Sequence, residues 1–356
     1  MSGQLYMDGT KLNRHLEEVV KWQRGERFAP IHMEVSLTNV CNQKCVFCYI
    51  DWQHGRNQMS EAMAVQLIRD AKRIGVKSAL IAGEGEPTAN KAYIRAIEVA
   101  GEVDFDVALN TNAVLLNPND AARVLPHLSW MRVSFQAPTR DLYSKIHQCD
   151  PGHFDRVLNN LEACVKLKRD HGYRVTMGLQ QVLVKENAHT VAEVAKLAKD
   201  IGFDYYVIKP CHPHELNQSG YVTVGDLVEQ NRETLEKAQA LSDDKFKAVV
   251  RWNFLHEAEV PRSYKKCLAL PFIIQIGSGG QVYTCYPMSD RKEHLYGNLS
   301  EKSLEEIVFS PDFGKICQSV AETVDVSKCM PTCRQHNANK YLWWLTQETP
   351  SHLNFI

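Results

Sequence analysis

Residues 35–50 read Val-Ser-Leu-Thr-Asn-Val-Cys-Asn-Gln-Lys-Cys-Val-Phe-Cys-Tyr-Ile, and the rest of the chain is best understood outward from them. The apolar, β-branched run from Ile31 to Leu37 predicts a strand. It leads straight into Cys41, Cys45 and Cys48, a C-x3-C-x2-C arrangement. Three thiolates on one short loop can hold three irons of a cubane [4Fe–4S] cluster and leave the fourth iron without a protein ligand. A catalytic metal site keeps a position open in the same way. A closed structural zinc or iron site is the alternative, and His54 is the nearest candidate for its fourth ligand.

Around this loop the pattern alternates strand and helix. Leu12, Leu16, Val19, Val20 and Trp22 lie near helical spacing, and Gly25 and Pro30 end that lead-in. Strands are predicted at 31–37, 76–81, 105–110, 130–135, 174–183 and 204–209. Helices are predicted between them at 60–74, 89–101, 118–126, 139–147, 153–170 and 189–201. This is an α/β chain with parallel pairing and right-handed crossovers. Six units fall short of a closed eight-stranded barrel, so a partial (β/α)6 TIM-like barrel is expected, with its site at the C-terminal strand ends. Residues 223–243 read as a helix. Phe272–Ile276 and Gln281–Cys285 read as a hairpin around Gly277-Ser-Gly-Gly280. The expected organisation is a helical lead-in over 1–30, a core over 31–215, a helical bridge over 216–260 and a smaller α+β domain over 261–356.

Composition narrows the function classes. Lys plus Arg total 41 against 42 Asp plus Glu, and no basic arm points to a nucleic-acid partner. No apolar stretch reaches the ~18–20 residues a bilayer requires, and no basic-then-apolar N-terminal pattern marks a signal peptide. A cytoplasmic protein is expected. In a reducing compartment, eleven cysteines in clustered spacings read as metal ligands or catalytic groups, not as disulfides.

The second predicted strand ends in Ala82-Gly83-Glu84-Gly85-Glu86-Pro87. With the cysteine triplet one strand earlier and Phe47 just before its last cysteine, this turn resembles the radical S-adenosylmethionine (SAM) superfamily. Glu84-Gly85-Glu86-Pro87 is similar to that family's Gly-Gly-Glu-Pro motif, with Glu84 in place of the first glycine. The resemblance implies that SAM chelates the open iron and is cleaved reductively to a 5′-deoxyadenosyl radical. It implies that Glu84, Gly85 and Glu86 hold the SAM amino group. It further implies that Asn110, Asn112, Ser134, Gln136 and Gln181 (of the Gln180-Gln181 pair) hydrogen-bond its ribose and carboxylate, and that Phe47 packs on the adenine. Turn capping and core filling are the alternatives for these residues.

Cys267 is followed by twelve residues, Gly280, four residues and Cys285, and Cys329-Met-Pro-Thr-Cys333 comes later. This pattern resembles the SPASM and twitch auxiliary-cluster domains. It implies one auxiliary [4Fe–4S] cluster held by Cys267, Cys285, Cys329 and Cys333, with a four-cysteine zinc ribbon as the alternative. Cys164 and Cys317 read as buried apolar positions, and Cys149 as a loop residue without a role. Cys211, in Lys209-Pro-Cys-His, is the candidate hydrogen-atom donor. With so short a lead-in, no leader-peptide-gripping domain is expected. The segments around Asp8–Leu12, Ile208-Lys-Pro and His352–Ile356 look similar to radical SAM enzymes acting on sugars, aminocyclitols or sugar nucleotides. A small-molecule substrate and an external one-electron donor such as flavodoxin or ferredoxin are the implied partners.

Overall fold

A computed structural model describes every residue except 1–6, 8, 213, 218–221, 224, 258–259, 348–350, 353 and 356. Asp8, Val224, Leu353 and Ile356, which fall within segments read above, therefore lie outside the described residues.

In chain order the main elements are α1 (Leu16–Gln23), β1 (His32–Ser36), α2 (Glu61–Ile74), β2 (Ser78–Ala82), α3 (Ala92–Glu102), β3 (Asp106–Thr111) and α4 (Pro118–Val124). There follow β4 (Trp130–Ser134), α5 (Arg140–His147), α6 (Gly152–His171), β5 (Thr176–Leu183), α7 (Val191–Ile201), β6 (Tyr205–Pro210), α8 (Gly225–Gln230), α9 (Arg232–Ala240), β7 (Lys247–Val250) and α10 (Trp252–Glu257). The C-terminal part adds β8 (Ile273–Ile276), β9 (Gln281–Tyr283), β10 (Leu295–Asn298), α11 (Leu304–Val308), α12 (Pro311–Thr323) and α13 (His336–Leu345).

The caps explain the boundaries. Ser60 accepts from Met63 N at the start of α2, and Gly75 takes the left-handed conformation (φ 99°) that ends it. Asn117 and Pro118 open α4 in the same spirit, the side chain accepting from Asn119 N and Asp120 N.

All strands join one ten-stranded sheet in the order β10-β9-β8-β1-β2-β3-β4-β5-β6-β7. Strands β1 through β7 are parallel to their neighbours, and β8 pairs parallel with β1 on the opposite side. Among the described residues β7 and β8 do not pair, so the sheet is an open half-barrel, as expected. It is wider than six units. β7 lies in the segment read as a helical bridge, where its four residues are too short to show an alternation. The helix read over 223–243 is two, α8 and α9, separated at Asn231. The expected hairpin forms as β8 and β9, and its outer strand extends the main sheet.

Alternation along the strands sorts the two faces. Met33, Val35, Ala79, Ile81, Leu109, Met131, Val133, Met177, Leu179, Tyr206 and Ile208 pack beneath the helices as one core. Their alternating neighbours, among them Glu34, Asn110, Arg132, Gln180, Tyr205 and Lys209, face the concave side.

Candidate active site

The cysteine loop leaves β1 at its C-terminal end and is clamped from two sides. On one side Thr38 Oγ1 donates to Asn57 O (2.9 Å) and accepts from Val40 N (3.0 Å), while Asn39 Oδ1 accepts from Asn57 N (2.7 Å). On the other, Lys44 N and Val46 N donate to His147 O and Ile146 O at the end of α5, at 3.1 and 3.0 Å. Gln43 Nε2 adds a bond to Tyr143 OH at 3.1 Å. The fixed backbone aims three thiols at one another. Burial holds Cys41 up at about 12 and Cys48 at about 11, and burial followed by the neighbouring Cys41 and Cys48 raises Cys45 well above its ordinary value. Neutral thiols at physiological pH must therefore release protons when they bind iron.

His147 is a residue that sequence reasoning missed. It is fully buried, its Nδ1 lies 3.1 Å from Cys45 Sγ, and its ring packs on Tyr143 (4.1 Å) and against the edge of Phe47 (5.8 Å). Burial depresses its pKa to about 3, so it is neutral and can donate Nδ1–H to a metal-bound thiolate. Nothing in the sequence separates His147 from other helix-end histidines. His54 Nε2 stands farther off, 3.8 Å from Cys48 Sγ.

The Gly83–Pro87 turn lies directly on this loop. A Cβ on Gly85 would fall 2.3 Å from Val40 O, and Glu86 N donates to that same carbonyl at 2.9 Å. Only glycine permits this approach. Glu86 is spent inside the protein. Its carboxylate accepts from Thr88 N (3.0 Å), Thr88 Oγ1 (2.6 Å), Thr111 Oγ1 (2.5 Å) and Asn112 N (2.7 Å). Asn112 Nδ2 continues the chain to Asn42 Oδ1 at 2.7 Å, beside Cys41. Glu84 turns away from the loop instead, and its Oε2 accepts from Ser278 N (3.0 Å) in the β8–β9 turn.

The structure separates the remaining candidates by face. Asn110 and Ser134 lie on the concave side, and Asn110 Oδ1 is buried without a partner among the described residues. Gln136 and Gln181 do not reach the mouth. Gln136 Oε1 accepts from Val182 N (2.6 Å) and its Nε2 donates to Gln180 O (3.3 Å). Gln181 accepts from Tyr206 OH and donates to Asn187 O (3.2 Å) under the helices. The pleat puts Gln180 on the concave side, its Oε1 3.5 Å from Arg132 Nη1. Two adjacent glutamines cannot be told apart until the strand's phase is known. Phe47 is half-buried against His147 and the core. Cys211, only 3% exposed, directly follows β6; its N donates to Thr223 Oγ1 at 2.7 Å and burial raises its thiol to about 11.

Farther along the chain, Cys267, Cys285, Cys329 and Cys333 face one another closely enough for each of the last three to push up the Cys267 thiol, after burial. Burial likewise raises Cys285 to about 12 and Cys329 to about 11. Two residues without a sequence signature organise the four. Arg262 Nη2 donates to Cys329 O (2.9 Å) and Met330 O (2.5 Å), and Asn339 of α13 binds Leu268 N (2.6 Å), Ala269 N (2.9 Å) and Cys267 Sγ (3.6 Å). Among the described residues no three His, Cys, Asp or Glu groups close tightly enough to grip one ion. Thiolates that each bind a different iron need not close on one ion, and three or four cysteines are the donor set such clusters use.

A radical SAM superfamily model matches residues 35–198, and a model of an iron–sulfur cluster-binding (SPASM) domain matches residues 267–335. The chain is a radical SAM enzyme with a C-terminal SPASM domain. It uses SAM, a [4Fe–4S] cluster and auxiliary iron–sulfur. Proteins named probable GTP 3′,8-cyclases are similar to it. The one from Saccharolobus islandicus strain M.14.25 is 25% identical over 286 residues, 78% of this chain and 90% of that protein. The one from Metallosphaera sedula is 29% identical over 211 residues, 58% of this chain and 62% of that protein. Among solved structures, Streptococcus suis SuiB bound to SAM has a TM-score of 0.66 at 17% identity, covering 88% of this chain and 75% of that one. AdoMet-bound anSMEcpe has a TM-score of 0.58 at 16% identity, covering 82% and 84%. At those identities the likeness establishes the radical SAM fold. No described helix is long and apolar enough to cross a membrane.

Proposed function

We propose that this radical SAM enzyme oxidises a small molecule, a sugar, aminocyclitol or sugar nucleotide, at a carbon bearing a hydroxyl. The observation that carries the reading is the quartet of Cys267, Cys285, Cys329 and Cys333. Four thiolates ligate a cubane completely, so the auxiliary site offers no iron to SAM or substrate and is left with electron transfer. The triplet of Cys41, Cys45 and Cys48 keeps one iron open. When bound there, SAM and the reduced cluster supply a 5′-deoxyadenosyl radical that takes a hydrogen atom from carbon. A cluster held by Cys267, Cys285, Cys329 and Cys333 would supply an acceptor for one electron from the substrate radical, whose hydroxyl proton would pass to solvent, so the product would lack two hydrogens. An external flavodoxin or ferredoxin provides the initiating electron.

The chain's own contribution is placement. Glu86 ties the ends of β2 and β3 to the cysteine loop, and Gly85 lets the SAM-facing turn rest on it. Gly85, Asn110, Asn112 and Ser134 are the side of the mouth proposed to hold SAM. A small-molecule substrate accords with the relatives named for a reaction of GTP. A second reading, epimerisation, is favoured by Cys211, which is buried at the end of β6 within electrostatic reach of Cys48. Its thiol would return a hydrogen atom to the opposite face and then require re-reduction by the external donor.

Anaerobic incubation with SAM, reductant and a panel of sugars, aminocyclitols and sugar nucleotides tests both. Release of 5′-deoxyadenosine with a product two hydrogens lighter is expected. A product of unchanged mass carrying solvent deuterium would overturn oxidation in favour of epimerisation. Turnover only with a precursor peptide would overturn the small-molecule reading.

A further inference from the structure

The concave face of the half-barrel carries cations that SAM cleavage does not explain. Arg132 of β4 is held by neutral groups. In register it lies beside Gly178 of β5, which lies beside Tyr205 of β6. A Cβ on Gly178 would come within 2.1 Å of the Tyr205 ring, so glycine lets that ring lie flat across β5. The Tyr205 hydroxyl thereby accepts from Arg132 Nε at 3.1 Å, and Gln180 Oε1 lies 3.5 Å from Nη1. The guanidinium is stacked 4.8 Å over Trp130 and sits 5.8 Å from the Tyr205 ring. These partners fix the fork without neutralising it, and donors remain for a further acceptor.

Lys209 of β6 faces the same interior, within electrostatic reach of both Arg132 and Arg251. Among the described residues its ammonium makes no hydrogen bond and no ion pair. Arg334, by contrast, is paired with Glu34 of β1. Inward cations are normally paired, and two on one concave face that lack a carboxylate partner among the described residues are complementary to an anion.

We propose that Arg132 and Lys209 form a subsite for an anionic group of the substrate, a phosphate or a carboxylate. The substrate is then an anionic small molecule, such as a sugar phosphate, sugar nucleotide or sugar acid, and not an aminocyclitol, whose amine is cationic. Tyr205 and Gly178 act as positioning residues that aim Arg132. This inference rests on the small-molecule reading above and narrows it.

The same anion chemistry could come from SAM's own carboxylate, so the test reads the two separately. Inorganic pyrophosphate is titrated calorimetrically into the reconstituted enzyme under anaerobic conditions, and SAM is titrated in a parallel series. Wild-type protein is expected to bind pyrophosphate saturably. Arg132→Gln and, independently, Lys209→Gln are expected to weaken it about ten- to hundredfold while SAM affinity stays near wild type. Tyr205→Phe is expected to weaken it less, because only the aim of Arg132 changes. Iron content and thermal unfolding of each variant identify any that misfold, and the Lys209 substitution stands if the Arg132 one does not fold. Absence of pyrophosphate binding, or equal binding in both folded variants, overturns the proposal. A parallel loss of SAM affinity also overturns it, by assigning the cations to SAM. Failure of wild-type enzyme to release 5′-deoxyadenosine sinks the radical reading itself, whatever pyrophosphate does.

Discussion

The two cysteine groups use one side chain for opposite ends, and the contrast explains their construction. Cys41, Cys45 and Cys48 lie within eight residues on a loop whose backbone is pinned to residue 57 and to the end of α5. Cys267, Cys285, Cys329 and Cys333 are drawn from segments up to 66 residues apart (333 minus 267) and are gathered by Arg262 and Asn339. An open site must present its free iron at the strand mouth, so its ligands come from one loop there. A closed site presents nothing and can be assembled from wherever the chain returns. Contacts that join the regions include the β1–β8 pairing, Glu84 of the glycine-rich turn with Ser278, and Glu34 of β1 with Arg334, the residue after Cys333.

The largest effects should come from emptying each group separately. Replacing Cys41, Cys45 and Cys48 by Ala should remove about four irons and abolish 5′-deoxyadenosine formation. Replacing Cys267 and Cys285 should remove a similar amount of iron, spare 5′-deoxyadenosine and abolish the two-hydrogen oxidation. Iron analysis and product chromatography distinguish the patterns, and identical losses in both variants would break the division of labour.

Gly85→Ala should act on the open site alone. The new methyl meets Val40 O, costing about 1–3 kcal/mol of stability and raising the SAM dissociation constant, with the auxiliary signal intact. Unchanged SAM affinity would show that the turn does not seat the ligand. His147→Leu should act more gently. Losing a donor to Cys45 Sγ should lower the reduction potential of the three-cysteine cluster and leave the other unmoved, as read by potentiometry with spectroscopic detection.

The smallest expected effect concerns the seam between the regions. Burial, then the Arg334 charge, holds His32 at about 3, well below its ordinary 6.5. The unfolded chain therefore takes up a proton that folded His32 refuses. Stability is unaffected above pH ~6.5 and falls as pH drops toward 3, by at most about 1.4 kcal/mol per pH unit from this residue. Urea unfolding between pH 7 and 5 should show that slope, and His32→Gln should flatten it. An unchanged slope would place His32 outside the seam's electrostatics.

The sequence was legible where local chemistry dictates structure. The βα alternation, the glycine caps and both cysteine spacings are short-range patterns, and the elements around them fall close to their expected bounds. Strand β7 escaped because four residues carry no phase. The outward pairing of β8 with β1 escaped because register across such sequence distance is set by tertiary packing. Gln180 and Gln181 cannot be told apart in the sequence because a pleat's phase is invisible in a glutamine pair. His147, Arg132, Arg262 and Asn339 gain their meaning only from neighbours brought in by the fold.

The open-versus-closed distinction is tested most directly by electron paramagnetic resonance of reduced protein lacking Cys267 and Cys285, recorded with and without SAM. The account predicts a single [4Fe–4S] signal whose g-values shift when SAM is added. A signal that SAM leaves unchanged, or no signal at all, would contradict it.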